Sequence, residues 1–559
     1  MLVQKFLAIL IQKFIRFKEL RNYELIVRQS GLFDKDYYIS NYPEIDEQGK
    51  KNPIKHYLLK GAELGFNPSS SFDSSWYEAQ YEDVKYSEIN PLVHYVLHGL
   101  KEGRKTHKNQ PLTPFESAVE RLKNSVVESL WGGYSSPALE ELRNLYSDSA
   151  AQKELRFLAA WHSARWFYFT ENYGQALKLS KFVRELSPQY LTDKTALLMH
   201  SFCLNKVGEH EEAGEVLKEF LRLKPDDADI LLALSNLKES PLERLDLINQ
   251  AYEKNGFLGV NLSDFNAPTC FHNLSASAPK VCDERLVSII IPTFNAGSRL
   301  EIAVNSLLNQ SWQNIEVIVV DDCSTDNTTN IVEELIAKDH RVKLVRQERN
   351  GGAYRARNAG LKLAKGCYIT THDGDDWSHP QKIERQIRYL DENSKVMGVS
   401  THWVRATEDL YFQHNWRLNT RLIHWSHSSF LFRREALEKL AEWDEVIAGG
   451  DTEFIWRMQA EFGKEAFSKI VSEVPLAFAL DDNTSLTRNK ATHIKTMHNG
   501  LRHIYREACS WWHRQSVDSF NIASIGERPF PAPKPLVTRG DNSVKSKFVF
   551  ISDFTEEHN

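Results

Sequence analysis

The sequence predicts an α/β domain built on a mostly parallel sheet, carried behind an all-α N-terminal half. From Val287 onward, short apolar runs alternate with segments whose apolar residues recur at helical spacing, the pattern of a parallel sheet covered by helices. Upstream, an aromatic-rich unit occurs twice, and a helical pattern then occurs twice at a period of 37 residues.

In chain order, residues 1–30 read as an amphipathic helix. Met1 to Leu20 is strongly apolar, with Lys5, Lys13, Arg16 and Lys18 interspersed and a partial polar stripe through Lys5, Gln12 and Arg16. That suits a helix lying in the interface of an anionic leaflet, and equally a helix docked on the next domain or forming an oligomer contact. Residues 31–110 carry the aromatic duplication. Phe33 to Tyr38 returns as Phe72 to Tyr77 at an offset of 39, and Pro53, His56-Tyr57, Gly61 and Gly65 return as Pro91, His94-Tyr95, Gly99 and Gly103 at 38. The rings read as the core of a small helical unit, with glycan stacking on the His-Tyr pairs as the alternative. Residues 111–260 hold the second repeat, where Tyr173-Gly174-Gln175-Ala176 with Pro188 is echoed by Gly208 to Ala213 with Pro225. Helix pairs closed by proline resemble tetratricopeptide repeats, arrays that hold protein partners or space domains rigidly. Residues 261–284, with their Asn, Ser, Ala and Pro, read as a linker.

Residues 285–515 form the α/β domain. Val287 to Pro292 is a buried strand, followed by a turn through Thr293-Phe294-Asn295-Ala296-Gly297 and a helix carrying Leu300, Ala303, Val304, Leu307 and Leu308. Ile315 to Val320 is the next strand, closed by Asp321-Asp322-Cys323-Ser324-Thr325-Asp326 and a helix with Ile331, Val332, Leu335 and Ile336. Val342 to Val345 and Tyr368 to Thr371 complete the alternation. In 516–559, Pro529 to Pro535 reads as an extended linker and Lys547 to Ser552 as a strand. That strand either joins an existing sheet or opens a further domain.

At 559 residues the chain is too long for one ordinary domain, and its 42% hydrophobic content suffices for conventional cores. The net charge of −6, from 69 basic and 75 acidic residues with no long basic block, argues against nucleic acid as a partner. Cys203, Cys270, Cys282, Cys323, Cys367 and Cys509 show neither CxxC nor zinc spacing, which fits a reducing cytoplasm. The N-terminal apolar run lacks a small-residue cleavage site, and no uninterrupted apolar stretch is long enough to span a bilayer. The expected location is cytoplasmic, with a peripheral seat on the inner membrane face if the N-terminal helix binds lipid.

The chemistry is concentrated at Cys367 to Trp377, where a β-branched run ends in Asp373, Asp375 and Asp376 around a glycine. Like charges this close repel one another. A hard divalent cation, Mg²⁺ or Mn²⁺, takes carboxylate oxygens and shares its other positions with water and substrate phosphates. Every polar cluster of the α/β domain falls at a strand end, where ligands of parallel sheets bind.

In order and spacing, SIIIPTFNAG, VIVVDDCSTDNT, RNGGAYRARNAGL and HDGDDW resemble a family 2 glycosyltransferase of the GT-A fold, over Leu286 to Arg488. The resemblance implies an α/β GT-A (Rossmann-like) catalytic domain that joins a sugar from a nucleotide donor, usually a UDP-sugar, to an acceptor hydroxyl with inversion. It implies that Pro292, Thr293 and Asn295 neighbour the donor nucleotide, that Asp321 or Asp322 receives the base, and that Arg357 lies near base and diphosphate. Asp373 and Asp375 match the Asp-x-Asp motif, the first facing ribose and metal and the second binding Mn²⁺ or Mg²⁺ directly, with Asp376 as an additional acid. A cation bridging the phosphates stabilises the charge that develops as the sugar departs.

The general base is expected at Asp451, in Ala448-Gly449-Gly450-Asp451-Thr452-Glu453, where Gly450 departs from the acid that often precedes it. Glu453 is the alternative base, and an N-cap is the structural alternative for Asp451. His424 to Ser429 and the Arg433-Arg434 pair correspond to an acceptor-side loop and a turn. Arg488 is expected over the donor phosphates and His493 as a metal ligand in some relatives.

The expected function is therefore sugar transfer to a growing bacterial surface polysaccharide or lipid-linked glycan, with a protein partner on the helical repeats. Two alternatives stand beside it. A non-catalytic scaffold of a polysaccharide assembly complex would use the helical half and leave the carboxylates unexplained. A sugar-nucleotide pyrophosphorylase would open with a Gly-rich, Arg-containing loop that PTFNAGSRL lacks.

Overall fold

The computed structural model describes residues 20–81, 83–84, 89–100, 102, 104–108, 114–186, 194–264, 267, 269–413, 421–481, 500–515, 519–525 and 528–537. Most of the N-terminal amphipathic segment, Arg488, His493 and Lys547 to Ser552 lie outside these residues. The chain divides into two compact units, Met1–Val119 and Glu120–Asn559.

In the first unit the duplication is structural. Asp34 caps the helix Lys35–Asn41 by accepting from the amides of Asp36 and Tyr37, and Asp73 caps Ser74–Gln80 through Trp76. Tyr38, Tyr57, Tyr77 and Tyr95 are buried in one cluster. The hydroxyls of Tyr38 and Tyr77 meet Nδ1 of His56 at 3.0 Å and of His94 at 3.3 Å. The tyrosine and histidine rings thus belong to the interior of this unit, and Gly61 and Gly99 recur because a Cβ at either would strike the tyrosine hydroxyl.

The second unit opens with packed helices, among them Lys153–Phe169, Tyr173–Leu186, Lys194–Lys206, His210–Leu223, Ala228–Ser235 and Pro241–Lys254. In His210–Leu223 the buried Ala213, Val216, Leu217 and Phe220 fall on one face. This array shares a continuous hydrophobic core with the α/β part, in which Ile230, Leu234, Leu245, Ile248 and Tyr252 cluster with Val404, Phe412, Leu422 and Phe478. Two segments read as linkers are packed instead. Within 261–284, Asn261–Leu262 pairs antiparallel with Leu274–Ser275, and Phe271 and Leu274 enter that shared core. Near the C-terminus, Phe530 and Leu536 are buried and Ile447 donates its amide to the Leu536 carbonyl at 2.8 Å. In both, a few apolar anchors outweigh a polar or Pro-rich composition.

The α/β part is built on a seven-stranded sheet. Its strands are β1 Val287–Thr293, β2 Ile315–Asp321, β3 Val342–Arg346, β4 Tyr368–Thr371, β5 Gly398–Ser400, β6 Leu431–Arg433 and β7 Phe467–Lys469, in spatial order β7-β5-β6-β4-β1-β2-β3. The strands β4, β1, β2 and β3 are mutually parallel, whereas β6 runs antiparallel to β4 and β5. Ile289 and Ile291 of β1 pack on one face with Leu300, Val304 and Leu307, and Ile290 packs on the other with Ala356, Phe432 and Phe454. Each such side chain contributes about 1.5–3 kcal/mol on burial. A second sheet contains Trp377–Ser378, Ala477–Leu480 and His402–Ala406. Among the described residues no helix is long and apolar enough to cross a membrane.

Candidate active site

β2 lies on one side of β1, and β4, which the chain reaches from β3, lies on the other, so the strand order reverses at β1, the place where parallel sheets bind ligands beyond their strand ends. Here Thr293 pairs with Asp321 in register. Asn295, at φ 50°, presents its amide to Ser324 Oγ at 2.9 Å while its Oδ1 accepts from Thr325 N at 2.8 Å, so the first two loops are tied together. Pro292 precedes Thr293 in β1, and Thr293 Oγ1 is buried with no partner among the described residues.

The two acids after β2 have different duties. Asp322 accepts from Gly351 N at 2.8 Å and Gly352 N at 2.7 Å, one on each oxygen, and so pins the turn into the helix α1, Ala353–Leu361. Gly352 there has φ 93°, which glycine adopts without strain. Asp321 accepts from Ser324 N at 3.1 Å through Oδ1. Asp321 therefore keeps more acceptor capacity than Asp322.

Tyr354 and Arg357, three residues apart, share one face of α1. Arg357 is buried and donates to Asp373 Oδ1 at 3.1 Å through Nη2 and to Asp451 Oδ1 through Nη1. Asp451 lies in the first turn of α2, Gly450–Phe462, which follows Gly449 at φ 100°. Asn358 of α1 is tied to the segment that leads into this helix, donating to the Trp443 carbonyl at 2.9 Å and accepting from the Trp443 amide at 3.0 Å. Burial pushes the Asp451 carboxyl above the usual range, and Arg357 opposes that shift. Glu453 is different: it is fully buried, paired with Arg457 at 2.8 Å and His513 at 3.1 Å, and held below the ordinary range chiefly by Arg457 against its own burial. Glu453 is a structural acid, and its carboxylate has no access to an acceptor.

In the acidic turn, Asp373 is 37% exposed at its side chain whereas Asp376 is buried. Burial, then the neighbouring Asp375 and Asp373, hold Asp376 well above the usual carboxylate range. Behind the turn, Lys382 Nζ donates to Ser378 Oγ at 2.6 Å. His372 Nδ1 meets the Asp373 carbonyl at 2.7 Å and its Nε2 meets Ser378 Oγ at 2.9 Å. Burial and then Lys382 hold the imidazole well below its ordinary range, hence neutral; the carbonyl makes Nδ1 the donor, so Nε2 accepts from Ser378. Burial also brings the Lys382 ammonium down to about 8.

Among the described residues no three His, Cys, Asp or Glu side chains converge as a ready-made metal cage. A nucleotide-site Mg²⁺ or Mn²⁺ needs only one or two carboxylates beside substrate phosphates. Asp373 and Asp375 are the pair expected to supply them, and their charges add to burial in raising Asp376.

The other candidates have protein partners. His424 is buried with Nδ1 on the Leu422 carbonyl at 2.9 Å, and His427 stacks on Trp425 at 3.9 Å. Arg433 donates to the carbonyls of Val396 and Leu390, and Arg434 to those of Ala364 and Gly366. The sequence reading missed Tyr354, which holds Asp451. Its spacing from Arg357 on a predicted helix was the available signal.

Residues 288–445, which hold β2 to β6 and nearly all of β1, match the family model described as Glycosyl transferase family 2. An uncharacterized glycosyltransferase of Haemophilus influenzae is 46% identical over 125 residues, 22% of this chain and 49% of its own. The UDP-Glc:alpha-D-GlcNAc-diphosphoundecaprenol beta-1,3-glucosyltransferase WfaP of Escherichia coli is 38% identical over 119 residues, 21% of this chain and 47% of its own. The chain thus spans about half the length of these curated relatives. The crystal structure of S. aureus TarS 1-349 in complex with UDP-GlcNAc aligns with a TM-score of 0.27 at 24% identity, covering 36% of this chain and 59% of that one. The expected architecture, an α/β GT-A domain behind an all-α N-terminal half, is the one observed.

Proposed function

We propose that this chain is an inverting glycosyltransferase that moves a sugar from a UDP donor to a growing bacterial surface polysaccharide or a lipid-linked glycan. The observation that carries this reading is the single Arg357 side chain joined to both Asp373 and Asp451 across the crevice. It couples an acid suited to the donor side with one suited to proton transfer. The donor and acceptor classes draw support from the name of WfaP, which specifies UDP-Glc and a diphosphoundecaprenol-linked GlcNAc.

In the reaction, Asp451 accepts the proton of the acceptor hydroxyl as its oxygen bonds to the anomeric carbon, and the bond from that carbon to the diphosphate oxygen breaks. A carboxyl raised by burial is the better proton acceptor. Asp321 accepts from the N–H of the base, and Thr293, with Pro292 and Asn295 beside it, offers its buried hydroxyl to the nucleotide. Asp373 and Asp375 would hold Mn²⁺ or Mg²⁺, which when bound neutralises charge on the leaving diphosphate. Arg488 is assigned to the same diphosphate. The site works on the cytoplasmic side, with the N-terminal segment as its contact with the membrane and the helical array as the surface for a protein partner.

The test is UDP release from UDP-glucose and UDP-N-acetylglucosamine, with Mn²⁺ and with EDTA. Metal-dependent release lost in Asp375→Ala supports the reading. Equal release in EDTA contradicts the metal assignment, and no release or binding of either donor contradicts the transferase.

A further inference from the structure

Gly450 is the one irregularity in the segment around Asp451. Its backbone does not demand glycine, since the positive φ belongs to its neighbour Gly449. Space demands it. A Cβ on Gly450 would lie 2.9 Å from both Cδ1 and Cε1 of Tyr354 and 3.0 Å from Cζ, closer than real Cβ contacts come to a ring. The ring cannot withdraw, because it is buried and the Arg357 guanidinium lies over it at 5.0 Å.

What the ring brings is its hydroxyl. Tyr354 Oη donates to Asp451 Oδ2 at 2.9 Å and accepts the Asp451 amide at 3.1 Å. That amide belongs to the first turn of α2, where backbone N–H groups have no partner within the helix. One phenol therefore caps the helix start and orients the carboxylate. Arg357 holds the other oxygen, so both carboxylate oxygens are fixed while each retains a lone pair for a proton.

We propose that Tyr354 is the positioning residue of Asp451, occupying the space that Gly450 leaves and setting the carboxylate's direction through its hydroxyl. This rests on the reading of Asp451 as the base. Burial and the Asp451 charge hold the phenol above its ordinary range, so it stays a donor throughout the working pH range. The charged groups acting on Asp451 are Arg357 and Asp373.

The experiment uses the full chain with Mn²⁺ and UDP-glucose or UDP-N-acetylglucosamine. Tyr354→Phe keeps the ring and deletes the hydroxyl. UDP release should fall by about 10-fold to 100-fold with donor KM nearly unchanged, consistent with loss of a hydrogen bond to a charged group. The acid limb of the pH profile should move to higher pH, because the lost donor favoured the ionised carboxylate. Hydrogen exchange at the start of α2 should speed up. Gly450→Ala should lower the melting temperature of the wild type but not of Tyr354→Ser, where the space is open.

An unchanged rate and pH profile in Tyr354→Phe, beside an inactive Asp451→Asn, overturns the positioning role and leaves the base in place. An active Asp451→Asn overturns the base instead. If the wild type releases no UDP, hydrogen exchange and the melting cycle decide: unchanged exchange or additive melting shifts overturn the positioning role.

Discussion

Glu453 and Arg457, one helical turn apart, form an ion pair in which neither side chain is exposed, with Nε and Oε1 2.8 Å apart. Arg457 also donates to the carbonyls of Leu440, Glu442 and Phe520, and His513 completes the set from a C-terminal helix. The pair therefore braces α2 from behind while Asp451 faces the crevice.

Glu453→Gln should accordingly be a stability variant. Breaking one side of a buried ion pair costs about 3–5 kcal/mol, because the remaining charge is left uncompensated. The variant should melt earlier and unfold at lower denaturant, while its folded fraction binds UDP normally. The carboxyl's depressed pKa means its contribution is present above the unfolded-state pKa and is lost as pH falls through the folded one. The melting difference between wild type and variant should therefore shrink on acidification, and a constant difference would show that the charge is immaterial.

Asp375→Ala should have the opposite thermal signature. The acidic turn repels itself, so removing one carboxylate relieves Asp376. In EDTA the variant should melt no lower than the wild type, yet lose the stabilisation that Mn²⁺ with UDP gives the wild type. Equal Mn²⁺-dependent stabilisation in both proteins would remove Asp375 from the metal site.

The helical array is a foundation of the second sheet as well as an N-terminal appendage. Asp229 Oδ1 accepts the buried amides of Leu422 at 2.9 Å and Ile423 at 2.8 Å, and Asn236 makes reciprocal bonds to the backbone of Phe412 at 2.6 and 2.7 Å. Asp229→Ala should destabilise by about 1–3 kcal/mol for each amide left unpaired. Expression of residues 285–559 alone should give insoluble protein, since the shared core would be exposed. A soluble, UDP-binding fragment would show that the array is dispensable for folding.

The strands were legible because VSIIIP and IEVIVV are buried on both faces, where β-branched runs have no competing interpretation. The strand-end clusters followed from topology. The individual duties of neighbouring acids were not legible, because they depend on which backbone amides come near. Asp322 is occupied by Gly351 and Gly352 from a loop 29 and 30 residues away, and Asp376 turns inward where Asp373 turns outward. Nor could the segment 261–284 be distinguished from a linker, since Phe271 and Leu274 become anchors only once the array and sheet are adjacent.

On the role proposed for Asp451, Asp451→Asn separates binding from chemistry. Asparagine preserves size and can still accept from Tyr354 or Arg357, so the helix start and the crevice should survive, and the affinity for UDP should change little. What is lost is the proton acceptor. Turnover should fall by roughly 10² to 10⁴, the usual share of general-base catalysis, with donor KM nearly constant. In the wild type the acid limb of the rate profile should lie above the value of about 3.9 for an ordinary aspartate, because burial raises this carboxyl. Below that limb the base carries its proton and transfer stops; above it the carboxylate is free to act. The limb should vanish from the residual activity of the variant. A variant with wild-type turnover and the same acid limb would mean that another group takes the proton, and Glu453, sealed behind Arg457 and His513, is not that group.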